Sequence, residues 1–134
     1  MTIALRIVLG LSGLALVALG LNTGLGGIQT LGLRGPTDFV APLNDIAYAV
    51  QDNNIRFLAG FFFAGGLVLV AGAWMLERLA IPIITICCMV AIGGVFRLTG
   101  EQASVALSNG AMPSLVLEFT LFPLLAFFVY RSIR

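Results

Sequence analysis

Charged positions are so widely spaced that the chain falls into long apolar runs. No charge intervenes between Arg6 and Arg34, residues 57–76 and 79–96 are charge-free, and residues 112–130 carry only Glu118. Crossing about 30 Å of hydrocarbon takes about 20 mostly apolar residues, so the pattern predicts four membrane-spanning helices over residues 3–21, 55–76, 79–97 and 112–130. Spans 2 and 3 are separated by little more than Glu77-Arg78, which makes them antiparallel neighbours. Spans 3 and 4 are joined by residues 98–111, closing on the turn signal Ser108-Asn109-Gly110. About 30 residues separate spans 1 and 2, too many for a bare loop in a small domain. Within them Leu43, Ile46, Ala47 and Val50 recur at helical spacing among Asn44, Asp45, Gln51 and Asp52, the pattern of a short amphipathic helix lying at the membrane surface. The expected fold is all-α: a polytopic, single-domain four-helix transmembrane bundle over residues 1–134, with a short interfacial helix in the first long loop.

Composition sharpens this picture. Of 134 residues, 60% are hydrophobic and 10% charged, with a mean hydropathy of +1.08, against about 25% charge in soluble domains. Thirteen charged side chains cannot coat a soluble globule of 14.1 kDa. All seven basic residues are arginine and histidine is absent. Imidazole-ligated haem, the usual zinc sites and serine–histidine catalysis are thereby excluded. The net charge of +1 carries no nucleic-acid footprint. No catalytic residue, metal ligand set or cofactor site is read from the chain. Arg6, a short apolar core and Ala18-Leu19-Gly20 imitate a signal peptide, but the segment reads as a retained first helix.

Four spans put both termini and the Glu77-Arg78 turn on one side, with Arg6, Arg78, Arg131 and Arg134. Arg34, Arg56 and Arg97 fall on the other side, where Arg56 and Arg97 sit at span ends. The positive-inside rule then makes both termini cytoplasmic. Because lipid tails are as apolar as leucine, helices in a bilayer associate through close packing and polar contacts. Ala59, Gly66 and Ala73 recur every seven residues, beside Gly65 and Gly72. Gly10, Gly13 and Gly20 on span 1, and Gly93 and Gly94 on span 3, offer further seams. Expected packing glycines are Gly60, Gly66, Gly72, Gly93 and Gly94. Pro82 and Pro113 suit the first turns of spans 3 and 4. Pro123 lies mid-span, denies the Phe119 carbonyl its partner and predicts a bend.

Intramembrane charge is the main functional signal. Glu118 lies about 9 Å inside span 4 at 1.5 Å per residue, while Arg56 opens span 2 and Arg97 closes span 3, so the three share a depth. Gly60 and Gly93, each one turn inward from an arginine, leave room beside it. An isolated charge at that depth is costly, so pairing is expected. The candidate cluster Arg56, Arg97 and Glu118 reads in two ways: a site with a cationic surplus for a carboxylate, phosphate or lipid headgroup, or a salt-bridge lock in which Asp52 or Glu101 absorbs the extra charge. Proton handling by Glu118 is a further reading. Adjacent Cys87 and Cys88 point about 100° apart on a helix and cannot bridge without distortion; both read as buried small hydrophobes. Phe61-Phe62-Phe63 and Phe127-Phe128 read as lipid-facing or packing residues, and Trp74 and Tyr130 suit an aromatic belt.

Three blocks carry a family resemblance: Leu5-Arg6-Ile7-Val8-Leu9-Gly10, Asn54-Ile55-Arg56-Phe57-Leu58-Ala59-Gly60 and Gly93-Gly94-Val95-Phe96-Arg97-Leu98, followed by Gly110, Pro113 and Glu118. In that order they resemble the bacterial four-span membrane family of unknown function DUF4345. That family is itself distantly similar to DoxX-like proteins, some of which are membrane parts of oxidoreductase assemblies. The expected function is a small non-enzymatic integral membrane protein, an accessory or scaffold subunit of a larger membrane complex. The alternatives are a small-solute carrier or lipid- or anion-binding protein using the Arg56, Arg97 and Glu118 cluster, and a quinone-binding component of an oxidoreductase. Expected partners are membrane lipids and a larger complex or a second copy, with no nucleic acid.

Overall fold

The computed structural model describes residues 3–30, 44–99, 104, 107 and 111–134. Regular structure among them is helical: α1 (Ile3–Gly26) with a 3-10 turn (Gly27–Thr30), α2 (Asp45–Gly72), α3 (Leu76–Arg97), α4 (Met112–Phe119) and α5 (Leu121–Ser132). Taking α1 with its turn and α4 with α5, four helical segments are long and apolar enough to cross a membrane. The chain divides into two compact units, Gly10–Val70 and Met1–Leu9 together with Ala71–Arg134.

In the first unit, α2 begins further upstream than its hydropathy indicates. Asn44 caps it, its Oδ1 accepting from the Ala47 N–H at 3.0 Å, and Asp45 lies in the first turn, where a carboxylate complements the helix dipole. The residues expected to form a separate interfacial helix, Ile46, Ala47 and Val50, are therefore the opening turns of α2 itself. Its 28 residues rise about 42 Å, about 12 Å more than the hydrocarbon core. The polar stretch Gln51, Asp52, Asn53 and Asn54 is therefore part of one continuous helix. Leu43, the other member of that expected helix, lies outside the described residues.

α1 and α2 pack antiparallel with almost no side-chain spacing. A Cβ at Gly13 would stand 2.7 Å from the Gly66 carbonyl oxygen, one at Gly66 would stand 2.6 Å from the Val17 nitrogen, and one at Gly20 would stand 2.5 Å from the Phe63 nitrogen. Nearer the turn, Gly24 faces Ala59, which is buried. Backbones this close gain dispersion contact along their length, which in lipid replaces hydrophobic burial as the source of association. On α1 the buried positions Ser12, Gly13, Leu16, Gly20 and Thr23 form one stripe, while Leu11, Leu14 and Leu21 face outward.

In the second unit, α2 ends at Gly72 and the chain turns through Ala73-Trp74-Met75, with the Trp74 and Met75 N–H groups donating to the Ala71 carbonyl at 3.1 and 2.9 Å. Glu77 and Arg78, expected as the connection, instead open α3. That earlier start places Pro82 inside the helix rather than in its first turn. A Cβ at Gly72 would press on the tip of the Ile83 side chain. α3 buries Leu76, Ala80, Ile83, Cys87 and Gly94 at heptad-like spacing, and the following helices bury Leu115, Phe122, Leu125 and Val129. Cys87 is fully buried, but its neighbour Cys88 is exposed, so only one of the two is a core residue.

Span 4 is interrupted where Pro123 demands it. Pro113 occupies the first turn of α4, and α4 gives way to α5 at Thr120, whose φ and ψ are −113° and −63°. The Thr120 N–H still donates to the Val116 carbonyl at 3.0 Å, and Leu124 N–H to the Thr120 carbonyl at 3.1 Å. The break is thus a distortion around the missing Pro123 donor, with the ladder resumed on either side. Thr120 Oγ1 also donates to the Val116 carbonyl at 2.6 Å, a back-bond that bends helices. The Ser108-Asn109-Gly110 turn and Glu101 lie outside the described residues.

Candidate functional site

In the unit Gly10–Val70, the charged chemistry gathers at the C-terminal end of α1. A helix leaves its last carbonyls without partners, and in an apolar setting each orphan is costly. Arg56 serves two of them: its Nη1 donates to the Gly24 carbonyl at 3.1 Å and to the Leu25 carbonyl at 2.8 Å. Its Nε donates to Asp52 Oδ2 at 2.6 Å, one turn earlier on α2. The other Asp52 oxygen, Oδ1, accepts from the Ile28 N–H at 2.7 Å. One carboxylate and one guanidinium therefore bind the end of α1 to the beginning of α2, and the cation sits where the helix dipole is negative.

The backbone makes way for this network at Gly27, which has φ +74°, a left-handed conformation that glycine adopts without steric cost. A Cβ there would also run into the Asp52 carboxylate and stand 2.6 Å from Arg56 Nη2. Around it, Asn22 Nδ2 donates to the Thr30 carbonyl at 2.5 Å, while Thr30 Oγ1 donates to the carbonyls of Asn22 at 2.9 Å and Gly27 at 3.0 Å.

The second unit holds the other pair. Arg97, in the last turn of α3, donates from Nη1 to Ser114 Oγ at 2.6 Å. The same nitrogen stands 3.4 Å from Glu118 Oε1. Ser114 passes the bond on, its hydroxyl donating to the Ala111 carbonyl at 2.8 Å. The Glu118 side chain is 15% exposed and that of Arg97 45%, so the arginine reaches outward from a largely covered carboxylate. Gly94 forms the notch that admits Glu118: a Cβ there would stand 3.0 Å from Oε2 and 3.1 Å from the Glu118 Cβ. Among the described residues, Oε2 is buried with no hydrogen-bond partner.

Of the three residues expected to meet, the structure joins Arg97 and Glu118, while Arg56 is engaged by Asp52 and the α1 carbonyls within its own unit. Each pair is neutral by itself. The packing glycines also divide. Gly66, Gly72 and Gly94 lie in close contacts, whereas at Gly60 and Gly93 a Cβ would meet no atom within 4 Å. The packing role expected of Gly60 and Gly93 therefore has no counterpart among the described residues, because the faces they occupy are open. Sequence reasoning missed Gly27, Asn22, Thr30 and Ser114. Of these only Gly27 carried a signal, as a glycine just past the end of an apolar helix. Among the described residues no three His, Cys, Asp or Glu side chains come together as a metal site.

Four long apolar helical segments, lipid-length and clad in exposed Phe, Leu, Ile and Trp, define an integral membrane protein. The chain belongs to the family described as domain of unknown function (DUF4345), which matches residues 4–129. No curated protein and no solved structure matches the chain.

Proposed function

We propose that this protein is a non-enzymatic accessory or scaffold subunit of a larger membrane complex, with both termini cytoplasmic in a bacterial inner membrane. The observation that carries this reading is the way its intramembrane arginines are used. Arg56 bonds to Asp52 and two backbone carbonyls, and Arg97 bonds to Ser114 beside Glu118. Charge placed beside lipid is expensive unless it has a task, and here the task is holding helix ends in register. A protein whose polar chemistry serves its own rigidity works through the surface it presents. Purification from native membranes in a mild detergent, followed by identification of what accompanies it, tests this reading. A stoichiometric protein partner is expected. A protein that purifies alone and moves a solute across reconstituted vesicles overturns it. For orientation, reporter fusions after Arg134 and within residues 35–43 are expected to signal opposite compartments, with the first cytoplasmic.

A second reading, a small-solute carrier or lipid- or anion-binding protein, is favoured by one observation at the Arg97–Glu118 pair. Glu118 Oε2 is a buried acceptor without a partner, and a donor group on a ligand would satisfy it. Loss of a bound molecule in Glu118→Gln, at unchanged stability, would support this second reading over the first.

A further inference from the structure

A groove of about 530 Å³ runs along one face of α5 in the unit formed by residues 1–9 and 71–134. Leu5 and Val8 of α1 form one wall, and Leu121, Leu124 and Phe128 form the other. Leu125, only 3% exposed, is also part of the lining. Two polar residues complete it, Arg131 and Ser132, both at the C-terminal end of α5. The Ser132 hydroxyl donates to the Val129 carbonyl at 2.8 Å. Arg131 lies 5.9 Å from the Phe127 ring centroid, and among the described residues no carboxylate pairs with it. The groove is therefore apolar along its length and cationic at one end.

Its length identifies the occupant. From Leu121 to Ser132 a helix rises about 16 Å, about half of the roughly 30 Å hydrocarbon core. The inner limit coincides with the interruption at Thr120, where α5 begins. A partner transmembrane helix would need a groove running the full depth of the bilayer. A fatty acyl chain belonging to one leaflet needs half of it, and its headgroup lies at the end where Arg131 stands. We propose that this groove is a binding site for one anionic phospholipid, with an acyl chain laid between Leu5, Val8, Leu124 and Phe128 and the phosphate bonded to the Arg131 guanidinium. Guanidinium is suited to phosphate because its planar donors match the oxygens pairwise. The site rests on the membrane location alone and is independent of the accessory-subunit reading.

The test is native mass spectrometry of the full chain after equilibration with equal amounts of phosphatidylglycerol and phosphatidylcholine. One phosphatidylglycerol is expected to remain bound in preference to phosphatidylcholine. Arg131→Gln is expected to reduce that preference about fivefold. Arg78→Gln removes the same charge from a residue outside the groove lining and is expected to leave the preference unchanged. Equal retention of the two lipids by the parent, or equal losses in the two arginine variants, overturns the proposal. A second measurement needs no variant: phosphatidylglycerol bearing a photoactivatable acyl chain is expected to label residues 121–128 of the parent. Labelling spread evenly over the helices, or a dimer whose contact excludes the lipid from that face, also overturns it.

Discussion

Residues 10–70 and the unit made of 1–9 with 71–134 each set one arginine against one carboxylate, yet they handle charge beside lipid differently. In the first, Asp52 and Arg56 stand one turn apart on the same helix, and both oxygens of the carboxylate and two guanidinium nitrogens have partners. The backbone packing is equally closed, with glycine against glycine at Gly13 and Gly66. In the second, the pair bridges two helices at 3.4 Å and leaves Glu118 Oε2 unsatisfied among the described residues. In the first unit the carboxylate is bonded at both oxygens. The second has polar capacity in reserve, and that asymmetry is what substitutions can probe.

The largest effect is expected at the glycine seam. In Gly66→Val the new Cβ would stand 2.6 Å from the Val17 nitrogen and 2.7 Å from the Gly13 carbonyl oxygen. Backbone cannot swing aside as a side-chain tip does, so the helices must separate. A loss of about 3 kcal/mol or more is expected, the upper end of overpacking costs, measured as thermal or denaturant unfolding in detergent. A Gly66→Val protein as stable as the parent would show that the two helices do not meet at that register.

Next comes the Asp52–Arg56 pair. Asp52→Asn removes the anion beside Arg56 and weakens the bond accepted from Ile28. Hydrogen bonds to charged groups contribute about 1.5–3 kcal/mol each, and with the Arg56 side chain 41% exposed a net loss of about 2 kcal/mol is expected. Adding Arg56→Gln is expected to recover little, because Arg56 also serves the Gly24 and Leu25 carbonyls. Full recovery in the double variant would reduce the network to a simple ion pair.

How much of this was legible in the sequence follows from what each feature depends on. The four spans were readable because hydrocarbon tolerates so few charges, and the interruption near Phe119 was readable because proline lacks an N–H. Depth placed Arg56, Arg97 and Glu118 at one level, and of these the structure pairs Arg97 with Glu118. Arg56 was harder. Asp52 precedes it at the i, i+4 spacing of a helical ion pair, but the polar run from Gln51 to Asn54 made hydropathy place that stretch before the membrane helix rather than within it. Asn44 and Asp45, a cap and a first-turn acid, were the local evidence for the earlier start. Gly27 was not legible as part of the network, since its left-handed conformation matters only once α2 returns alongside α1.

The second unit's pair is expected to be worth less. Glu118→Gln exchanges a carboxylate with one loose contact for a neutral amide of the same shape. With Arg97 45% exposed, solvent or headgroups can receive the released charge, and exposed ion pairs contribute about 0–1 kcal/mol. A loss of at most about 1 kcal/mol is expected, smaller than that of Asp52→Asn under the same conditions. A larger loss in Glu118→Gln would reverse the comparison and make the second unit the more tightly locked of the two.

The smallest effects are expected at two matched glycines, one in each unit. Gly60 lies one turn after Arg56 and Gly93 one turn before Arg97, and a Cβ at either would meet nothing within 4 Å. With no neighbour to displace, alanine there changes mainly helix propensity, where glycine is poorer by about 1 kcal/mol. Gly60→Ala and Gly93→Ala are therefore each expected to leave the purified protein as stable as the parent or slightly more so, whatever happens at Gly66. The same variants reach further when compared in detergent and in native membranes. A subunit that docks onto a larger assembly through an open glycine face gains close approach only while that face stays smooth. Gly93→Ala or Gly60→Ala that is stable alone but no longer retains a partner would place the docking face on that helix, and the unit that fails would be the one that carries the contact. If both variants retain the partner while one loses stability in isolation, the open face is covered by this chain itself, and the contrast between jammed and free glycines fails at that position.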